Sequence, residues 1–272
     1  MKKKPIAYIL FILTFLATSC TITKPYQAPV VGTRGLYRDQ SSTDSANMAN
    51  LHWREIFRDT LLQNLIREGI ATNLNLKIAY SSIRQSQAYF EQSRLVFLPG
   101  LSVDASTLNG KTISTSTTSQ LYGLAVNASW EADLWGKLKS SKRAALASLL
   151  QSEAYSRVVQ TDLVAGIANY YYTLLVLDQQ LKITEESLKN WITTVDMMQA
   201  LKDADVVTGA AVVQSAASRY ATEVTIPDLK QSIRQTENAL SILLGRVPGP
   251  VKRGTLYEQK PGNLLNAGVP AQ

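Results

Sequence analysis

Residues 130–137 join two segments of opposite periodicity, and this junction constrains the fold more than any other feature of the chain. Before it, apolar residues alternate with small or polar ones from Tyr122 to Trp130. After it, apolar residues recur at three- and four-residue steps for about 65 residues without a proline. A repeat of two indicates a β-strand, and a repeat near 3.6 indicates a helix. The sequence therefore predicts a strand that leads directly into a very long helix.

The strand predicted over residues 120–130 has one apolar face with aromatic residues near both ends. The residues that we expect to face lipid are Tyr122, Leu124, Val126, Ala128 and Trp130. An apolar band bordered by aromatic side chains is typical of strands in outer-membrane β-barrels. A weaker alternation predicts a second strand over 98–107, and the Ser/Thr-rich tract 109–118 suits an exposed loop between the two. The alternative interpretation is a soluble β-hairpin.

The first 19 residues have the pattern of a secretory signal peptide. Three lysines precede an apolar stretch from Ile6 to Leu16, which is too short to span a bilayer as a stable helix. Cys20 is the only cysteine and follows small residues, so we expect acylation as in bacterial lipoproteins, although Ala17 stands where leucine is commonest. The alternative is ordinary signal cleavage with an incidental cysteine. Residues 20–50 are rich in Pro, Gly, Ser and Thr, which predicts an extended arm.

The rest of the chain is predicted to be helical. The periodic segments are 52–95, with a break between Gly69 and residues 73–75; 136–201; and 209–244, with a kink near Pro227. A turn over 202–208 separates the last two, and the tail 251–272 shows no period and is expected to be loose. At 1.5 Å per residue the helix 136–201 would be on the order of 95 Å long, too long for an ordinary globular domain. The fold class is therefore mainly α, with long antiparallel coiled-coil helices and a β-hairpin.

The residue inventory gives no basis for catalysis or for a cofactor. Hydrophobic residues make up 45% and charged residues 18%, as in a folded protein. The formal charge of +7 falls to +4 without the three leader lysines, which is too mild to predict nucleic-acid binding. With one histidine, His52, and one cysteine, no zinc-type cluster is possible, and we expect no metal site. Glu131 and Asp133 are interpreted as helix-capping residues rather than as a catalytic pair.

Several motifs occur in an order that is similar to one known family. They are the leader with Cys20; Trp53, Phe57 and Asp59; Leu98-Pro99; the run 130–137; Leu163-Val164-Ala165 and Tyr170-Tyr171; Ile226-Pro227-Asp228-Leu229; and residues 243–248. Together they resemble the outer-membrane efflux protein family, the TolC-like channels, in its lipoprotein branch. The resemblance implies a homotrimer with a β-barrel in the outer membrane and an α-barrel in the periplasm. It also implies a periplasmic adaptor protein and an inner-membrane pump as partners.

The resemblance implies two structural repeats per protomer, whereas this sequence predicts one strand pair and one long helical hairpin. We therefore expect the chain to correspond to the N-terminal half of such a protein, with the second repeat truncated. The implied function is that of an outer-membrane channel subunit giving passive passage to drugs, metals or other solutes. The alternative is a lipid-anchored periplasmic coiled-coil scaffold without a pore.

Two groups of site residues follow from the resemblance. The strand–helix junction comprises Glu131, Asp133, Leu134, Trp135 and Gly136. The periplasmic tip, where the family meets its adaptor, comprises Asp203, Asp205, Val206, Val207 and Thr208. The alternative for the two aspartates is ordinary turn chemistry, because aspartate tolerates tight turns.

Overall fold

The computed structural model describes Gln27, Pro29, residues 51–112 and residues 117–259, with the side chains of 109–119 excluded. The predicted signal peptide, Cys20 and nearly all of the arm 20–50 lie outside the described residues. The elements are α1 (Trp53–Ile56), α2 (Thr60–Thr72), α3 (Leu74–Leu95), β1 (Gly100–Thr112), β2 (Thr117–Ser129), α4 (Lys137–Asp203), α5 (Gly209–Glu223), α6 (Thr225–Leu243) and a 3-10 turn (Leu256–Glu258). The predicted fold class, mainly α with an antiparallel β-hairpin, is confirmed.

The chain divides into two compact units. The first contains Ser93–Arg143, and therefore the whole hairpin and the start of α4. The second contains Ser42–Gln92 and Ala144–Pro270, and therefore most of the helices. Among the described helices, none is long and apolar enough to cross a membrane.

The hairpin strands extend further than the sequence predicted. β1 and β2 pair from Gly100↔Ser129 to Thr112↔Thr117, so strand replaces much of the expected loop 109–118. At the other end, β2 stops at Ser129, one residue before Trp130.

The helical unit is built around one apolar core. Its fully buried side chains come from α2, α3, the middle of α4 and the end of α6: Leu62, Ile66, Leu76, Ile167, Tyr171, Leu174, Leu175, Leu240 and Leu244. Trp53 and Phe57 pack against this core from the N-terminal side. No residue between 176 and 239 is buried, so the outer parts of α4, α5 and α6 lie beyond the core.

The predicted helix 52–95 is three helices, and the last break falls at Asn73. The Asn73 side chain accepts a hydrogen bond from the Leu76 amide at 3.0 Å and donates one to the Leu243 carbonyl at 2.8 Å. It therefore caps the start of α3 and ties it to the end of α6. The predicted helix 209–244 is also divided, at Val224, three residues before Pro227, because proline has no amide hydrogen to continue the ladder.

Residues 251–259 differ from the expected loose tail. Val251 is buried in the core, and Arg253 forms ion pairs with Asp178 and Glu237. Thr255 and Glu258 form a capping box around the 3-10 turn. Tertiary contacts therefore order this segment without any helical or strand periodicity, and residues 260–272 lie outside the described part.

Candidate functional site

The hairpin has one apolar face. Antiparallel partners share a face, so Leu101↔Ala128, Val103↔Val126 and Ala105↔Leu124 bring the apolar residues of the two strands together. Leu124 is 76% and Val126 67% exposed. Of the residues predicted to face lipid, four lie on this face of β2, and Trp130 follows directly after the strand.

The opposite face is mostly small and polar. It carries Ser102↔Asn127 and Ser106↔Gly123, and Asn127 Nδ2 donates a hydrogen bond to Asp104 Oδ2 at 2.8 Å. A Leu108↔Leu121 pair, which is exposed, interrupts this polarity. The hairpin therefore separates apolar from polar side chains over most of its length.

The junction after β2 is fixed by its two carboxylates, which have different roles. Asp133 accepts hydrogen bonds from the amides of Leu138 and Lys139 at 3.1 and 2.9 Å, and so caps the first turn of α4. Glu131 instead forms an ion pair with Lys137 at 2.9 Å. Gly136 has φ +75°, a conformation that a residue with a Cβ rarely adopts. These contacts set the direction in which the helix leaves the strand.

Large apolar side chains surround this junction and point into solvent. Trp130 is 65%, Leu134 75% and Trp135 78% exposed. The Trp130 indole Nε1 donates a hydrogen bond to the Phe97 carbonyl at 3.1 Å. This bond connects the residue after β2 to the segment before β1. Trp130 is thus held in place while most of its ring remains uncovered.

The predicted tip turn contains a tight helix end. Asp205 has φ +56°, its amide donates to the Lys202 carbonyl, and the Val206 amide donates to the Leu201 carbonyl. This is the Schellman pattern that closes helices with a left-handed residue. Asp203 accepts a hydrogen bond from Gln199 Nε2 at 2.9 Å. Both aspartates therefore have a structural role in ending α4.

The apolar residues of the turn differ in exposure. Val206 is 67% exposed, whereas Val207 is half-buried. Thr208 occupies the N-cap position of α5 without a side-chain hydrogen bond to the helix. The turn thus presents Val206 as its one large exposed apolar side chain within residues 203–208.

Comparison with known proteins identifies the family. The model of the family "Outer membrane efflux protein" matches residues 65–246, which is more than half of the chain. The chain belongs to this family. The predicted relationship and the outer-membrane location are thereby confirmed.

Curated relatives share about a quarter of their residues with this outer membrane efflux protein. The antibiotic efflux pump outer membrane protein ArpC of Pseudomonas putida is 27% identical, over 96% of this chain and 57% of its own length. The cation efflux system protein CusC of Escherichia coli is 26% identical, over 98% of this chain and 59% of its own. The probable outer membrane lipoprotein SilC of Salmonella typhimurium is 27% identical, over 85% and 51%. The chain spans about half the length of the curated relatives it matches.

Solved structures show the same fold. A crystal structure of CusC superposes with a TM-score of 0.70 at 24% identity, covering 87% of this chain and 54% of that one. The open state of the Neisseria gonorrhoeae MtrE outer membrane channel gives 0.69 at 24% identity, covering 85% and 52%. At this level of sequence identity, the two superpositions show a shared fold alone.

This outer membrane efflux protein also contains a polar cluster that sequence reasoning missed. The Tyr171 hydroxyl donates to Asp59 Oδ2 at 2.5 Å and accepts from the Gly254 amide at 3.3 Å, and Gln259 Nε2 donates to the same Asp59 oxygen at 2.8 Å. The Arg253 guanidinium donates to Asp178 on α4 and to Glu237 on α6. The cluster therefore connects the start of α2, the middle of α4, α6 and the segment 251–259. The Thr255-x-x-Glu258 spacing was the one local signal for it.

Electrostatics in this cluster follow from burial and hydrogen bonding. Burial disfavours the charged carboxylate of Asp59, but hydrogen bonds from Tyr171, Gln259 and the Leu61 and Leu62 amides outweigh it and lower its pKa. Burial, and then the bond to Asp59, raise the pKa of Tyr171. The bonds to Asp178 and Glu237 outweigh burial and raise the pKa of Arg253. The cluster thus holds fixed charges rather than an exchangeable proton.

Within residues 51–112 and 117–259, no group of three or more His, Cys, Asp or Glu side chains could hold a metal ion. The family and the matched relatives are channel proteins rather than enzymes.

Proposed function

We propose that this protein contributes two membrane strands and a long helical hairpin to an outer-membrane efflux channel. Solutes would pass passively through the lumen, driven by an inner-membrane pump through a periplasmic adaptor. The observation that carries the proposal is the exposed apolar face of the hairpin, which leads into α4 within a chain of this family.

The dimensions of the apolar face support membrane insertion. Tyr122 and Trp130 lie eight residues apart, or about 27 Å along a strand. A strand tilted by about 40° spans roughly 21 Å of membrane over that distance, close to the apolar band of about 25 Å in outer-membrane barrels. A contiguous apolar face of this kind on a water-soluble protein would favour aggregation.

The open edges of the hairpin support assembly with further strands. Among the residues that the structure describes, no further strand pairs with the outer edge of β1 or of β2. Backbone groups inside lipid must be paired, which a closed barrel achieves and a lone hairpin does not. The proposal therefore includes neighbouring strands in a trimeric assembly of the family type. The relatives named for antibiotic and cation efflux indicate the solute classes to test, drugs and metal ions, and passage requires no reacting group in this chain.

The turn after α4 is the proposed contact with the adaptor. Val206 closes the end of α4 through its backbone amide and its side chain remains exposed, so its apolar surface is not needed for the turn itself. A photo-reactive amino acid at Val206 should capture the adaptor in cells with an active pump. The same probe at exposed Lys189, elsewhere on α4, is the control. Absence of capture at Val206 would remove the adaptor from this proposal.

Membrane insertion is tested by a pair of adjacent substitutions. Val126→Arg places a charge on the apolar face and should cost about 2–4 kcal/mol near the bilayer midplane, whereas Asn127→Arg on the polar face should cost far less. The measurement is the fraction of protein that stays in the outer membrane after urea extraction. Equal retention of both variants would favour the alternative, a periplasmic scaffold held only by the predicted lipid at Cys20.

A further inference from the structure

We propose that the junction between β2 and α4 binds the headgroup layer of an anionic phospholipid bilayer. We call the binding surface the collar, and it consists of Trp130, Leu134, Trp135, Lys139, Lys142 and Arg143. This inference rests on the proposed function, since the hairpin must insert for the collar to reach lipid. It adds a lipid contact that sets the depth of the hairpin and depends on lipid charge.

The apolar half of the collar consists of Trp130, Leu134 and Trp135, and packing within the hairpin leaves most of their surface uncovered. Trp130 donates its indole hydrogen to the Phe97 carbonyl, yet 65% of the residue is exposed, and Leu134 and Trp135 are more exposed still. Indole rings combine an apolar body with a polar edge and are therefore enriched at membrane–water interfaces. These side chains immediately follow the apolar face of β2 in the chain. They are suited to the boundary between acyl chains and headgroups.

The basic half of the collar lies on the first two turns of α4. Lys139, Lys142 and Arg143 are spaced by three and four residues, so they lie on neighbouring positions of one helix face. None of the three forms an ion pair with any side chain that the structure describes.

The nearby carboxylates do not neutralise these cations. Glu131 is paired with Lys137, and Asp133 accepts the amides of Leu138 and Lys139 at the helix start. The collar therefore presents three cations to an external anion.

The length of the basic half matches a lipid headgroup layer. The three cations extend over four residues of α4, from Lys139 to Arg143, which corresponds to a rise of about 6 Å. The headgroup region on one side of a bilayer is roughly 5–8 Å thick. Aromatic side chains followed within one such thickness by basic side chains are typical of segments that bind anionic lipid surfaces. A free phosphate ion would use the cations but not the three exposed apolar residues.

The test compares vesicle binding of the full chain and two charge-matched variants. The collar variant carries Lys139→Gln, Lys142→Gln and Arg143→Gln. The control carries Lys182→Gln, Lys189→Gln and Lys202→Gln, which remove the same charge from exposed positions on the same helix. Binding is measured to phosphatidylcholine vesicles and to vesicles that also contain phosphatidylglycerol. Quenching of tryptophan fluorescence by lipids brominated on the acyl chain reports insertion separately.

The collar variant should lose about fivefold in affinity for the anionic vesicles for each cation removed, while the control keeps nearly all of it. Both should bind neutral vesicles equally. A version with Lys139→Arg and Lys142→Arg should bind anionic vesicles like the natural protein. The collar would be overturned if the collar and control variants lost the same affinity for anionic vesicles. It would also be overturned if the collar variant lost as much affinity for neutral vesicles as for anionic ones.

Failure of the proposed function has a different signature. In that case the natural protein shows no quenching with brominated lipid, and Val126→Arg binds vesicles as the natural protein does. Quenching that persists in the collar variant together with undiminished anionic affinity shows an inserted hairpin and refutes the collar alone.

Discussion

At the scale of single residues, Gly245 illustrates how one position can connect two helices. It has φ +63° at the end of α6, and the amides of Gly245 and Arg246 close the helix on the carbonyls of Ile242 and Ser241. A Cβ there would lie 2.9 Å from the Thr72 carbonyl oxygen at the end of α2. Glycine is therefore required both for its backbone conformation and for the close approach of α2.

We expect Gly245→Ala to lower the free energy of unfolding by about 2–4 kcal/mol. Alanine is strained in the left-handed backbone conformation, and its Cβ would also displace the end of α2. Chemical denaturation of the purified protein measures the change. Gly249→Ala is the matched control, because no atom lies within 4 Å of a Cβ there. Similar stability of the two variants would show that the approach of Thr72 does not constrain this site.

Asp59 makes the stability of the helical unit dependent on pH. Its pKa is lower in the folded protein than the usual 3.8, so it stabilises the fold above that value. This stabilisation is lost as the pH falls through the folded pKa and the carboxylate is protonated. We expect Asp59→Asn to be less stable at neutral pH and to lose less stability than the natural protein between about pH 5 and pH 2.

Thermal unfolding followed by circular dichroism across this pH range tests the prediction for Asp59. Asp196→Asn serves as the control, since Asp196 is exposed near the end of α4. A parallel loss of stability on acidification in Asp59→Asn and the natural protein would contradict the assigned role.

At the scale of elements, sequence periodicity predicted most of the architecture. The strand β2 and the helix α4 were found within a few residues, because each repeats one local pattern over many residues. The division at Val224 agrees with the kink predicted near Pro227, because this proline lacks the amide that would bond to the Glu223 carbonyl. The polar tract 109–118 was interpreted as loop, although the backbone pairing of the two strands extends to Thr112↔Thr117.

The passage from strand to helix depends on one side chain. Asp133→Ala removes the acceptor for the Leu138 and Lys139 amides and should cost about 0.5–2 kcal/mol, as at other helix starts. Hydrogen exchange should accelerate at those two amides and much less in the middle of α4. Asp133→Asn, which keeps one acceptor oxygen, should restore part of the protection. Unchanged exchange in Asp133→Ala would contradict the capping role.

At the scale of the whole molecule, the segment 251–259 was the part that sequence could not predict. The Arg253 side chain is 14% exposed and pairs with Asp178 and Glu237, which lie 75 and 16 positions earlier in the chain. Such contacts leave no local period, and they depend on how α4 and α6 pack. The candidate site divides in the same way: the hairpin faces follow from alternation, whereas the Asp59–Tyr171–Gln259 bonds required the structure.

Replacing Arg253 by Met should lower the free energy of unfolding by about 2–4 kcal/mol, because Glu237 and Asp178 lose their partner in a partly buried place. Lys252→Met, at the exposed neighbouring position, is the control and should have little effect. Adding Asp178→Asn and Glu237→Gln to Arg253→Met should recover part of the loss, which a mutant cycle measures. Strict additivity of the three changes would contradict the ion-pair cluster.

The absence of buried residues from 176 to 239 has a consequence for how the helical unit opens. Helices joined by half-buried contacts alone resist separation weakly, so local opening should begin at the turn 204–208 and stop where Leu175 and Leu240 enter the core. In the chain alone, the helices should therefore separate at the turn and remain packed at the core. Within the helical unit, proteases should cut first at this turn, and the protection gained on assembly would then record, residue by residue, how far neighbouring subunits cover each helix.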